Sequence, residues 1–384
     1  MTLARRSKIF GGFFRIPVLS VLFMCFVSCE KYDAYMDVPA ETGSAPAWIE
    51  AVKADGIREE LIYTMNNNEI LGLQVCVAHR EKESWSFSLG STGPAQVDPV
   101  EDHHIFRMGS VTKIYTAALI FRLIEEGYLD LDQTVSGFYP EIENVKDVKI
   151  GHLLEHTSGI RDIFTMPAIL INASNFPDKH WDPNHLAKTC MKKPLRFEPG
   201  SDYSYSNTNY ILLGLIAEEV TGRQLAELYN GYLFDPLELS ETRFVPYEPS
   251  PPELITGFVH HYALSFRGWY PTAPENISWP TLAFSSGAMV TTATEMAAFI
   301  KYLFGGELLS AESLDEMTGM KGGREKGLQR ISVNGNTWYG HEGEITGFES
   351  MVLYHPDTGR IIAVCSNTTP FRIKDAIRVI DAKL

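Results

Sequence analysis

The sequence predicts an α/β chain of the α+β kind, an antiparallel sheet flanked by helices with an all-α domain inserted into it. Three observations carry that prediction. Short β-branched, alternating runs gather at two distant places, residues 73–89 and 329–365. Apolar residues at helical spacing precede, separate and follow those runs. Between them, from Asp130 to about Trp279, the texture is helical pieces and Pro-rich loops with little strand signal. Strands and helices segregated in this way argue for α+β architecture with an insertion. The 384 residues, 45% hydrophobic and 21% charged, are enough for two domains with ample core. The boundaries read as 47–130 plus 285–384 for the sheet domain and 131–284 for the insert.

The N-terminus stands apart from the rest. Arg5, Arg6, Lys8 and Arg15 precede an apolar run over 16–27, too short to span a bilayer comfortably, and residues 1–28 read as a secretory signal. The run ends in Phe26-Val27-Ser28-Cys29, which resembles a bacterial lipoprotein processing site with Cys29 as the lipid-bearing first residue. Cys25 competes less well, because bulky Met24 stands where a small residue is wanted; an uncleaved anchor is the other alternative. A lipid on Cys29 tethers the chain to a membrane without a spanning helix, and polar residues 29–46 serve as the tether. The expected location is therefore the exported face of a bacterial cell envelope. Removal of four basic and no acidic residues takes the net charge from −15 to −19, which argues against nucleic acid as a partner. Cys76, Cys190 and Cys365 are too few and scattered for a disulfide framework or zinc site, and read as buried apolar thiols. A Cys76–Cys365 bridge stays open if their strands are neighbours.

In chain order, a helix is expected over 47–66, then a hairpin of strands 73–78 and 84–89 joined by the polar residues 79–83. A long apolar helix follows over 114–127, and within the insert another over 210–220. Ser285-Ser286-Gly287 returns the chain to the sheet domain, with Thr292 placed to cap a helix over 295–304. Strands at 329–333, 337–339, 350–354 and 361–365 and a closing helix over 375–382 complete the pattern.

Ser110-Val111-Thr112-Lys113 is the only Ser-x-x-Lys beyond the one that straddles the expected processing site at residues 28–31, and it opens the helix after turn-like Met108-Gly109. Residues three apart share a helix face at roughly 5–6 Å, so the Lys113 amine can reach the Ser110 hydroxyl and take its proton. The first helical turn also favours developing negative charge. The plain alternative is a capping serine beside a solvated lysine. Tyr205-Ser206-Asn207 is the only Tyr-x-Asn, and Gly340-His341-Glu342-Gly343 precedes the alternating residues 348–354.

Ser-x-x-Lys, then Tyr-x-Asn, then a basic residue-x-Gly on a strand resembles the penicillin-recognising serine hydrolases: class C β-lactamases, D-alanyl-D-alanine carboxypeptidases and related esterases and D-aminopeptidases. The flanking Ile105-Phe106-Arg107-Met108-Gly109, Leu153-Leu154-Glu155-His156-Thr157-Ser158-Gly159 and Tyr205 to Gly214 are similar to that family as well, and the likeness runs over about 55–370. It implies the β-lactamase/transpeptidase-like fold and an acyl-enzyme on Ser110. It implies that Tyr205 moves the proton with Lys113 as partner, the lysine charge favouring a tyrosinate; Tyr203 is a rival tyrosine. Asn207 is implied to hydrogen-bond Lys113 and the substrate amide, His341 and Gly343 to border the substrate, and the backbone N–H groups of Ser110 and Glu344 to form the oxyanion hole. No metal or other cofactor is implied.

Glu342 departs from the family pattern, where Thr or Ser usually helps to hold a substrate carboxylate. A carboxylate there disfavours carboxylate substrates and favours an ester or a free amine, unless it points out of the cleft. His152-Leu153-Leu154-Glu155-His156 superficially matches a metallopeptidase signature, but Thr157-Ser158-Gly159 completes the serine-hydrolase motif, in which the histidine is structural. The pairs His103-His104 and His260-His261 read as loop residues, and Asp162, Trp181 and Trp269 carry no signal of their own. The expected activity is hydrolysis of an ester, amide or peptide bond in a small molecule or short peptide. A true β-lactamase or cell-wall carboxypeptidase is the alternative, and a non-catalytic cell-wall or ligand-binding protein the alternative of another class. The oligomeric state is not legible.

Overall fold

The computed structural model describes residues 44–94, 98–263 and 266–384, with no side chains described over 261–268. The expected signal segment, Cys29 and most of the tether therefore lie outside the described residues. Helix α1 (Ala51–Asn68) leads into the hairpin β1 (Gly72–His79) and β2 (Lys82–Gly90), then β3 (Phe106–Arg107) and α2 (Thr112–Glu125). Next come α3 (Ile150–Leu154), α4 (Pro167–Asn175), α5 (Pro183–Met191), α6 (Asn207–Thr221), α7 (Leu225–Tyr229), β4 (Arg243–Phe244), β5 (Gly257–Ala263), β6 (Phe266–Thr272) and α8 (Ser278–Ala283). The chain closes with β7 (Met289–Thr291), α9 (Ala293–Gly305), α10 (Ala311–Thr318), β8 (Gln329–Val333), β9 (Asn336–Ile345), β10 (Phe348–Tyr354), β11 (Arg360–Ser366), β12 (Thr368–Thr369) and α11 (Ile373–Lys383).

The main sheet has six strands in the order β2-β1-β11-β10-β9-β8, and every neighbouring pair is antiparallel. An early strand and a late strand of the described residues thus meet in its middle, where Val75 pairs with Val364. Both faces are covered. Leu73, Val75 and Val77 of β1 join Ile362 and Val364 of β11 in a core with α1 and α11, while Cys76, Ala78, Ala363 and Cys365 face the core that holds α2 and α9. Burial on both faces explains why β1 and β11 read as nearly unbroken apolar runs. Cys76 and Cys365 lie on these adjacent strands, opposite Ala363 and Gln74 respectively, as buried free thiols. Thr292 caps α9 as expected, its hydroxyl accepting the Glu295 N–H at 3.1 Å.

The segment read as helical also carries strands. β5 and β6 form a hairpin whose β5 lies parallel to β12, and β4 joins β3 and β7 in a second three-stranded sheet. His260, expected in a loop, is buried on β5, with Nε2 3.1 Å from Glu69 Oε2 and its ring stacked on Trp269. Two imidazoles in succession hid a strand whose partner, Thr368–Thr369, lies about a hundred residues downstream.

Candidate active site

Three chain segments converge on Ser110. The first is the turn Gly109–Val111, which leads into α2. Gly109 has φ +50°, and a Cβ on it would stand 2.8 Å from the Glu344 nitrogen, so a side chain is excluded both by conformation and by the approach of β9. Gly343 makes the reciprocal approach, since its Cβ would fall 2.1 Å from the Met108 carbonyl oxygen and 3.0 Å from the Ser110 nitrogen. The Ser350 hydroxyl ties the same turn to β10 by donating to Met108 O at 2.6 Å. These contacts hold β9, which carries the expected oxyanion donor Glu344 N–H, against the turn that carries the other, Ser110 N–H. No side chain caps α2, so Ser110 is not spent as a cap.

Lys113 lies in the first turn of α2 and is wholly buried. Its Nζ is 3.1 Å from Ser110 Oγ, 2.8 Å from Asn207 Oδ1 and 2.6 Å from the Ser286 carbonyl oxygen. The α6 start supplies Asn207, and the segment that returns to the sheet supplies Ser286. Burial drives the Lys113 pKa down to about 7, against the opposing pull of the Asp162 carboxylate. A lysine in this state is part free amine at neutral pH, as a base toward a serine hydroxyl must be.

Tyr205, half-buried, hydrogen-bonds Ser110, and its ring stands 5.0 Å from the Lys113 Nζ and 4.3 Å from the His156 ring. Tyr203 is exposed instead. Burial raises the Tyr205 pKa above the usual phenol value and the Ser110 hydrogen bond only partly offsets this. These directions favour a neutral phenol at Tyr205 and a free amine at Lys113, rather than the expected tyrosinate. His341 on β9 is buried, with its ring 6.2 Å from that of Tyr205. Desolvation, with Lys113 nearby, lowers its pKa to about 3, so it faces the site neutral, its Nδ1–H donating to the Glu342 carbonyl oxygen. Strand alternation puts His341, Gly343 and Ile345 inward and exposes Glu342 and Glu344 on the opposite side.

Reasoning from sequence missed two features here. The first is how His156, expected to be structural, acts: its Nδ1 accepts the Ser206 N–H at 3.2 Å beneath the Tyr205 ring. Its would-be metal partner Glu155 is ion-paired with Lys326 at 2.8 Å. Asp162, which had no signal of its own, is 8% exposed and binds Asn207. Trp181 donates from Nε1 to Ser278 Oγ at 2.9 Å and so holds α8 in place.

Comparison with known proteins accords with this geometry. Residues 57–383 match the family model described as Beta-lactamase. Penicillin-binding protein 4 of Amycolatopsis lactamdurans is 29% identical over 293 residues, 68% of this chain and 72% of that protein. Other curated relatives are longer, and the chain spans 52% of the length of protein flp of Staphylococcus aureus. Among solved structures, D-stereospecific amidohydrolase from Streptomyces sp. is 26% identical with a TM-score of 0.73, over 86% of this chain and 98% of that one. D-amino acid amidase from Ochrobactrum anthropi SV3, in complex with D-phenylalanine, has a TM-score of 0.78 at 21% identity over the same shares, a likeness of fold. A family match over more than four-fifths of its length identifies this chain: it belongs to the Beta-lactamase family and is a serine hydrolase.

Proposed function

We propose that the protein is an exported, lipid-anchored hydrolase that forms an acyl-enzyme on Ser110, and that its substrates are amides or esters of amino acids bearing a free amine. The observation that carries the acyl-transfer reading is the Ser110 hydroxyl 3.1 Å from a buried lysine amine whose pKa is about 7. In that reading Lys113 Nζ takes the Ser110 proton as Oγ bonds to the substrate carbonyl carbon. The resulting oxyanion rests on the Ser110 and Glu344 N–H groups. When the carbon–nitrogen or carbon–oxygen bond breaks, the proton on Lys113 passes through the Tyr205 hydroxyl to the leaving group. Water then repeats the sequence on the acyl-enzyme, with Lys113 again accepting the proton. Asn207 steadies Lys113 and has its amide beside the position of the substrate.

The substrate class is supported by Glu342, which is exposed on the side of β9 away from His341 yet brings a negative charge near the site that favours an ammonium over a carboxylate. Glu342 is near enough for its charge to raise the Tyr205 pKa further. The names of the amidase and amidohydrolase neighbours agree with such a substrate. Export and anchoring are supported by the basic and apolar N-terminus ending at Cys29. Among the described residues no helix is long and apolar enough to cross a membrane. The relative named penicillin-binding protein favours a second reading, penicillin-sensitive peptidase chemistry at the same serine.

Hydrolysis of D-phenylalanine amide, its L isomer, its N-acetyl derivative and p-nitrophenyl acetate tests the proposal, alongside intact-mass analysis after benzylpenicillin and Ser110→Ala as control. Turnover of free-amine amides by the wild type alone supports it. A long-lived penicilloyl adduct without amide turnover moves the assignment to the second reading. Neither turnover nor adduct leaves the binding-protein alternative standing.

A further inference from the structure

Asp162 closes the turn that follows the Leu153 to Gly159 motif, and its carboxylate is directed at Asn207. Oδ1 accepts the Asn207 backbone N–H at 3.1 Å and the Phe164 N–H at 3.2 Å. Asn207 Nδ2 lies 3.3 Å from Oδ1 and 3.1 Å from Oδ2. An asparagine side chain has one donating and one accepting end, whereas an ionised carboxylate only accepts. Paired with Asp162, the amide can present only its NH2 end inward, and its Oδ1 is thereby turned to Lys113 Nζ at 2.8 Å. A flipped amide would set oxygen against carboxylate and lose the acceptor that holds the amine.

We propose that Asp162 is a positioning residue for acyl transfer: it fixes the orientation of the Asn207 amide, and through it the Lys113 amine, and supplies the carboxylate charge that faces that amine. The inference rests on the reading of Lys113 as the base. The other groups around the amine are Ser110, the Ser286 carbonyl, the faces of Tyr205 and Tyr210, and the imidazoles of His156 and His341, both held neutral by burial. None of these is an anion. Burial alone would leave the lysine too weak a base to hold the serine proton through the reaction, and the buried Asp162 opposes that effect.

The test is an NMR titration of the protein carrying 13C/15N-labelled lysine, with Lys113→Met identifying the Lys113 signal. Asp162→Asn keeps an oxygen for both backbone N–H groups and removes the charge; Asp162→Ser retains a short acceptor and serves if the first variant folds poorly. The expected result is a Lys113 midpoint lowered by about one pH unit in either variant. An unchanged midpoint in the folded variants overturns the proposal, because a purely structural aspartate would lower the melting temperature and leave the titration alone. The titration needs no substrate, so it stands apart from the base assignment. That assignment fails separately if the acid limb of p-nitrophenyl acetate hydrolysis does not follow the wild-type Lys113 midpoint.

Discussion

Lys113→Met should change how stability depends on pH, and by an amount the structure sets. The amine is wholly buried, and its pKa falls from 10.5 in an ordinary lysine to about 7. At about 1.4 kcal/mol per pH unit, burying the charge costs on the order of 5 kcal/mol below about pH 7, where both states carry it. The sign follows from linkage. Between about pH 7 and 10.5 the unfolded lysine binds the proton that the folded one has lost, so wild-type stability rises with pH across that window. Below it both states are protonated and the penalty is felt in full. Methionine keeps the stem and removes the charge, but strands the Asn207 Oδ1 and Ser286 carbonyl acceptors at roughly 1–3 kcal/mol each. Those losses do not vary with pH. The stability of Lys113→Met relative to wild type should therefore fall by about 2 kcal/mol between pH 7 and pH 9, whichever protein is the more stable at a given pH. Urea unfolding followed by tryptophan fluorescence at pH 6, 7, 8 and 9 measures the difference, and titrating groups that do not feel the Lys113 charge cancel. Parallel stability curves for the two proteins would refute the argument, because the buried lysine would then titrate as an ordinary one.

Three other outcomes are expected. kcat/KM for an activated ester should rise with pH through about 7 and then level off as Lys113 loses its proton, and a profile without that acid limb in stopped-flow assays would remove the lysine from the base role. Gly343→Ala puts a Cβ 2.1 Å from the Met108 carbonyl oxygen; pushing β9 away from Ser110 should cost about 1–3 kcal/mol in thermal unfolding and at least about 100-fold in turnover. Retention of both would mean that the close approach does not shape the oxyanion hole. Glu342→Gln should raise KM for free-amine amides about two- to tenfold, as expected for loss of one exposed charge contact, and leave the N-acetylated analogue unaffected; equal effects on both would show that the carboxylate does not meet the substrate amine.

The parts of the site that were legible in the sequence are those set by local geometry. Ser110 and Lys113 are three residues apart across the helical turn that leads into α2, so their contact follows from local geometry alone. β1 and β11 announce themselves because each side chain meets an apolar layer whichever face it takes. Tyr205, Asn207 and His341 were named from motif order and resemblance, and their convergence on Ser110 is a tertiary fact. Two features escaped. The hairpin β5–β6 is completed by β12, so no local pattern had to be strong enough to declare it. Asp162 resembles any surface aspartate until Asn207 is folded against it.

By itself the sequence determined the strand and helix periodicities, the two glycines that let β9 approach the turn before α2, and the pairing of the Ser110 hydroxyl with the Lys113 amine. Which of two candidate bases is favoured is a tertiary matter. Both lysine and tyrosine can serve chemically, and the choice turns on desolvation, which for Lys113 is imposed by Asn207 of α6, Ser286 of the returning segment and the ring of Tyr205. A side chain's pKa reflects everything packed around it, and those neighbours are drawn from segments tens to hundreds of residues away.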